Sequence, residues 1–203
     1  MQLIDQLTDT VHKLNIDDVS QERLKVLEPL IHYIQSKVYA GEKVNLNFIC
    51  THNSRRSQFS QIWAQTAAYY HGIEICSYSG GVEVTAFNER AVEAVKRAGF
   101  GIVEKGEGNP TYFIYFSEDA EPVTTFSKVY DDEINPKKNF AAIMTCSHAD
   151  ENCPFIPGAE QRVPVRYDDP KAFDGTPSEA AKYDERSMQI ANEMFYVFSQ
   201  IKN

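Results

Sequence analysis

Cysteine is scarce in this chain: four in 203 residues, at positions 50, 76, 146 and 153. That is too few to staple a protein of this size, so its stability must come from apolar burial rather than a disulfide scaffold. A cytoplasmic protein with working thiols is the expectation. No apolar run approaches the length of a membrane span, and the opening Met1-Gln-Leu-Ile-Asp5 lacks a signal peptide's basic and apolar regions. Positive charge is also short, 20 Lys and Arg against 29 Asp and Glu, for a formal charge of −9. This argues against nucleic acid or an anionic membrane as a partner. Apolar residues are plentiful at 42%, enough for one domain with additions.

Against that acidic background one locally basic stretch stands out, Val44-Asn-Leu-Asn-Phe-Ile-Cys-Thr-His-Asn-Ser-Arg-Arg-Ser57. Val44, Leu46 and Phe48 alternate and close on Ile49, the pattern of a strand. Cys50 to Arg56 has no large apolar side chain and reads as a loop. Residues 57–71 read as a helix, with Gly72 at its stop. Strand, tight loop and helix form an anion site, because loop amides and the helix's free first-turn N–H groups converge on one point. Cys50 ends the strand beneath those amides, where a thiolate is favoured. Arg56 offers a planar fork for two oxygens of a tetrahedral oxyanion. Asn53 suits a left-handed backbone position, and Ser57 can donate to the thiolate. Thr51, His52, Ser54 and Arg55 fill out the oxyanion-binding loop.

The remaining chain alternates strands and helices. Residues 1–40 read as helical, with one apolar face on Leu3, Ile4, Leu7, Val11 and Leu14, and a second running from Leu24 to Val38. Pro29 interrupts that second run, predicting a kink or a helix beginning close to it. Residues 73–79 alternate as a strand ending at Gly80-Gly81, with Cys76 packing inside it, and residues 88–98 form a helix closed by Gly99. Residues 111–116 and 123–130 are rich in β-formers around an acidic turn and read as a hairpin. Residues 140–145 are continuously apolar, a strand covered on both faces. Residues 162–167 are a shorter strand whose Pro164 places it at a sheet edge. Thr176-Pro-Ser-Glu179 is a capping box with proline at the first helical position, opening a final helix with a broad apolar face. Such alternation makes an open parallel sheet whose ligands bind beyond the strands' carboxyl ends, where Cys50 would lie.

Cys50-Thr-His-Asn-Ser-Arg-Arg-Ser57 resembles the signature loop of the low-molecular-weight protein tyrosine phosphatase superfamily, which includes the thioredoxin-coupled arsenate reductases. The resemblance implies a nucleophilic Cys50 and an oxyanion-binding Arg56. It also implies a four-stranded, mostly parallel α/β sheet with helices on both faces. To that core the chain adds an N-terminal helical extension (1–40) and a hairpin inserted at about 111–130, within a catalytic domain spanning 41–203. Asp169 stands directly before Pro170, as the superfamily's general acid does; Asp168 is the second choice, and a plain Asx-Pro turn the third. Phosphatases continue with ring-gripping aromatics, whereas here Lys171-Ala-Phe173 follows.

Cys146 and Cys153, seven residues apart before Pro154, match the redox pair of the arsenate reductase branch. A zinc site of Cys146, His148 and Cys153, or two structural cysteines, are the other readings. If the intervening segment is helical, the two α-carbons stand roughly 10 Å apart, whereas a disulfide needs about 4.4–6.8 Å. Oxidation would then have to unwind residues 146–155. By resemblance, arsenate binds the loop and Cys50 attacks arsenic while Asp169 protonates the departing oxygen. Cys146 then attacks Cys50, Cys153 attacks Cys146, and thioredoxin reduces the resulting disulfide. Phosphate-ester hydrolysis through a Cys50 phosphocysteine is the alternative. The family often has a second cysteine where Arg55 stands, and several reductases carry a potassium-associated glutamate where Gln61 stands, so neither a metal site nor a cofactor is expected.

Overall fold

The computed structural model describes residues 2–152 and 155–202. Two helices precede the first strand, α1 (Asp5–Val11) and α2 (Gln21–Ala40). Ser20 caps α2 by accepting from the Arg23 amide, and Gly41 closes it in a left-handed turn, φ 65°. α2 continues through Pro29 as one helix, so no new helix begins there. The carbonyl that loses its donor to this proline is that of Lys25, an exposed residue, so water can take the place of the missing N–H.

Beyond them come β1 (Val44–Cys50), α3 (Arg56–His71), β2 (Ile75–Gly81), α4 (Glu89–Arg97), β3 (Gly101–Lys105), β4 (Thr111–Tyr115) and β5 (Val123–Thr125). The chain ends with β6 (Phe140–Met144), α5 (Ser147–Asn152), β7 (Ala159–Pro164) and α6 (Glu179–Ser199). The main sheet has the order β2-β1-β6-β7 and all its pairings are parallel. β1 is therefore central, and its carboxyl end delivers Cys50 to the rim between β2 and β6.

The sheet divides the core. Leu46, Phe48, Ala141, Ile143 and Val163 join a large cluster with the apolar stripes of α1, α2, α3, α4 and α6. Ile49, Ala142 and Met144 join a smaller cluster with Cys50, Cys146 and Ala149 of α5. β1 is buried along its whole length, its two asparagines included, because their side chains donate to backbone carbonyls: Asn45 to Asn139 (3.0 Å) and Asn47 to Tyr130 (3.0 Å). No helix among the described residues is long and apolar enough to cross a membrane.

Three boundaries differ from expectation. β7 starts at Ala159 and ends at Pro164, although backbone bonds from Val165 and Tyr167 to Met144 and Thr145 carry the extended chain further along β6. The capping box is rearranged: α6 begins at Glu179, whose carboxylate reaches back to the Gly175 amide at 2.6 Å, and Pro177 stays in the preceding turn. The expected hairpin exists in β4 and β5, but it forms a separate antiparallel sheet with β3, and its second strand stops at Thr125. Residues 127–130 leave that sheet to bind the loop after β1. The N-terminal helices are tied to the same region. Arg23 grips Glu193 of α6 at 2.9 and 2.7 Å, and Glu193 also accepts from the Tyr167 hydroxyl at 2.8 Å.

Candidate active site

The loop between β1 and α3 is built around Asn53, which adopts φ 46° and is fully buried. Its Nδ2 donates to Ser57 Oγ at 2.9 Å, and its Oδ1 accepts from the Lys128 amide at 3.0 Å. Gln58 Nε2 bonds the Asn53 carbonyl, and Ser54 Oγ bonds that of Ala86. Ser127 Oγ donates to the His52 carbonyl at 2.9 Å. The loop's shape is thus fixed from three sides before any ligand arrives. Gly81 lies so close beneath it that a Cβ would stand 2.7 Å from the Asn53 nitrogen, which is why β2 ends on glycine. At the centre, Cys50 Sγ is 3.0 Å from Ser57 Oγ and almost wholly buried.

Arg56 is the first residue of α3. Its Nη2 donates to Asp169 Oδ2 at 2.7 Å and its Nη1 to the Tyr167 carbonyl at 3.0 Å. Its Nε is buried and has no hydrogen-bond partner among the described residues. An orphan donor on a guanidinium in this position suits an anion that the site is built to receive. Asp169 is held for its position by the Lys171 amide, which donates to Oδ1 at 3.0 Å across Pro170. Asp168 instead turns away: its side chain is 98% exposed, and among the described residues it pairs with Arg186, at 3.6 Å. Of the two aspartates, Asp169 is the one at the loop.

Cys146 lies just past β6, on the strand beside β1, and is buried in the same small cluster as Cys50. Its sulfur is 3.4 Å from Thr51 Oγ1, the residue after Cys50, and accepts from the Ala149 amide at 3.4 Å. Thr51 Oγ1 is also 3.3 Å from His148 Nδ1. α5 is fastened to the sheet by Asp150, whose carboxylate is nearly buried and paired with both Arg162 and Arg166. Cys153, with the second half of the expected pair's geometry, lies outside the described residues. Among the described residues no three His, Cys, Asp or Glu side chains gather as metal ligands.

No family model matches the chain. Curated relatives do. An arsenate reductase of Halalkalibacterium halodurans is 32% identical over 132 residues, 65% of this chain and 78% of that protein. Arsenate reductase 2 of Staphylococcus epidermidis is 32% identical over 129 residues, 64% of this chain and 80% of its own length. This chain belongs to the arsenate reductase family. An arsenate reductase of Bacillus licheniformis extends the match to 158 residues at 28% identity, 78% of this chain and 96% of that protein. The fold is similar to that of low-molecular-weight phosphatases. A Vibrio cholerae phosphotyrosine phosphatase aligns with TM-score 0.52 at 13% identity, over 77% of this chain and 95% of its own. A T. tengcongensis phosphatase aligns with TM-score 0.51 at 14% identity, over 78% of this chain and 100% of its own.

Several residues around this family member's loop have no simple signature in sequence. Arg55 donates through Nε to the Tyr183 hydroxyl at 2.9 Å, and Tyr183 donates on to Asp174 at 2.8 Å. Burial and that carboxylate push the Tyr183 hydroxyl up to about 12, so it stays protonated as the connecting donor. A cleft of about 570 Å³ opens beside the loop, lined among others by His52, Arg55, Lys171, Phe87 and Tyr112.

Lys128 is the other surprise. It is 2% exposed, and burial pushes its ammonium down to about 8 from 10.5, with Asp132 opposing. Its Nζ stands 4.8 Å from the Phe126 ring centroid and 3.5 Å from the Phe126 carbonyl. Because the folded state holds this proton more weakly than the unfolded chain, stability should rise as pH climbs from about 8 towards 10.5. The full span is about 3 kcal/mol at most. Lys128→Met should be more stable than the parent near neutral pH and should lack that rise. Denaturant melts at pH 7 and pH 10 check this, and identical slopes in parent and variant would contradict it.

Proposed function

We propose that this protein reduces arsenate to arsenite through a relay of Cys50, Cys146 and Cys153, recycled by thioredoxin in the cytoplasm. The observation that carries the reading is the Thr51 hydroxyl contact, which ties the Cys146 sulfur to the rim of the loop that holds Cys50. Of the thiols, hydrolysis needs only Cys50, so a second buried thiol at that rim has work only in a redox cycle. In the first step the Cys50 thiolate attacks arsenic held by the loop amides and Arg56, and Asp169 gives its proton to the departing oxygen. The Cys146 thiolate then attacks the Cys50 sulfur. The sulfur–arsenic bond breaks with its electron pair on arsenic, arsenite leaves, and the two cysteines are joined as a disulfide. Cys153 attacks Cys146, freeing Cys50, and thioredoxin reduces the pair that remains.

Cys153→Ser tests the reading. With arsenate and thioredoxin the wild type should cycle, while the variant should release about one arsenite per protein and stop as a Cys50–Cys146 disulfide, identifiable by peptide mapping. Continued cycling by the variant, or no arsenite from the wild type, overturns the relay. Phosphate-ester hydrolysis through a Cys50 phosphocysteine is the second reading. It is favoured by the cleft, whose volume far exceeds that of a bare tetrahedral oxyanion and whose Phe87 and Tyr112 can flank an organic group.

A further inference from the structure

The second displacement needs Cys146 as a thiolate, so its proton must pass to another group. Cys146 is 1% exposed, and the contacts described for Sγ are a hydroxyl, Thr51 Oγ1, and an amide, Ala149 N–H. Arg56 is committed to Asp169 and the Tyr167 carbonyl, and Arg162 and Arg166 are committed to Asp150. A buried thiol in such a place must hand its proton to something.

We infer that His148 is the general base for Cys146, acting through the hydroxyl of Thr51. The three groups form a directed chain: Cys146 S–H donates to Thr51 Oγ1 at 3.4 Å, and Thr51 O–H donates to His148 Nδ1 at 3.3 Å. This orientation uses the imidazole with its proton on Nε2 and its lone pair on Nδ1. As the thiol proton passes to Thr51 Oγ1, the hydroxyl proton passes to Nδ1. Imidazolium and thiolate result, and Thr51 is unchanged. The thiolate then forms the sulfur–sulfur bond to Cys50 and arsenic departs reduced by two electrons, one drawn from each sulfur. The imidazolium, at an exposed edge of the site, returns its proton to water. This assignment rests on Cys146 being the second nucleophile of the proposed relay.

The other charged groups around the imidazole are occupied. On α5, Asp150 faces Arg162 and Arg166, and Glu151 is exposed. On the loop, His52 pairs with Glu83 at 3.3 Å and Arg56 with Asp169. Among the described residues, His148 Nδ1 has Thr51 as its hydrogen-bonding neighbour. Sequence alone offered His148 only as a zinc ligand, because nothing in the spacing shows that Thr51 would stand between it and a thiol.

The test is a single turnover of the reduced protein with arsenate, quenched in acid, with the total disulfide at Cys146 (to Cys50, or to Cys153 after resolution) counted by mass spectrometry across pH 6 to 10. His148→Gln should form this disulfide about 100-fold more slowly near neutrality. Its rate should climb about tenfold per pH unit as hydroxide takes over the base's task, and should meet the wild type in alkali. Thr51→Val, which removes the hydroxyl, should share the slow, pH-dependent rate of His148→Gln. Hydrolysis of an aryl phosphate, which does not involve His148, should be unchanged in His148→Gln. A His148→Gln rate equal to wild type at every pH overturns the inference, and so does an equal loss at every pH, which marks a structural role. If the wild type forms no disulfide at Cys146, the relay itself falls and this step with it. A normal wild-type disulfide with a pH-blind variant refutes only the role of His148.

Discussion

Asp169→Asn should slow hydrolysis of an aryl phosphate by about 10²–10⁴-fold and yet tighten the binding of inorganic oxyanions. The two effects have opposite signs because one carboxylate serves two purposes. In the proposed reaction it supplies, as an acid, the proton that a departing oxygen needs, and an amide in the same place cannot. As an anion it already occupies Arg56 Nη2, at 2.7 Å, and so competes with any incoming phosphate or arsenate for the same guanidinium. Removing its charge while keeping its shape frees that donor. The pair is partly exposed, so the gain in affinity is of the order expected for a screened ion pair, about 3–10-fold in the inhibition constant for phosphate. The substituted side chain should hold its position, since an asparagine oxygen can still accept from the Lys171 amide. Steady-state kinetics with phosphate as inhibitor reads both numbers. Unchanged turnover would remove Asp169 from the acid's role, and weaker phosphate binding would show that it steadies Arg56 rather than occupying it.

The centre of this site was legible in sequence because its chemistry and its local structure share one short stretch. β1, the loop and α3 follow one another within 28 residues, Val44 to His71, each announced by its own pattern: alternation, an absence of large apolar side chains, then helical spacing with a glycine stop. Asp169 was legible for a similar reason, since a proline immediately after it fixes how it turns. What escaped was held by distant partners. β3 is five residues long, half of it exposed, and carries Glu104 and Lys105, so its strand character comes from Tyr115 and Ile114 across the ladder rather than from its own sequence. The expected strand through 126–130 is instead a strap. Ser127 and Lys128 are drawn off the hairpin by His52 and Asn53, residues 75 positions earlier. Pro29 starts no new helix, because a helix tolerates proline where the orphaned carbonyl can find water. Tyr183 and Asp174 look like ordinary helix and turn residues until Arg55 is placed between them.

Cys146→Ser should abolish thioredoxin-driven arsenite production, by at least about 1000-fold, because a hydroxyl is not a useful nucleophile toward sulfur at neutral pH. The geometric change is small, since serine fits where a cysteine was and can keep the contact with Thr51. Burying a hydroxyl in place of a thiol at a 1%-exposed position should cost about 1–2 kcal/mol, a loss that a thermal melt will register and that the fold should survive. Cys146→Ala, which buries no new polar group, guards against mistaking that loss for a chemical one. The decisive quantity is stoichiometry. The wild type should release arsenite many times per molecule and Cys153→Ser about once. The Cys146 variants should release none, because arsenic remains bound to Cys50 with no neighbouring sulfur to displace it. Hydrolysis of an aryl phosphate should persist in both Cys146 variants, as it draws on Cys50, Arg56 and Asp169. One arsenite per molecule from Cys146→Ser would mean that another thiol reaches Cys50. Cys76, half-buried on β2, and Cys153 would then be the only sulfurs left to supply it.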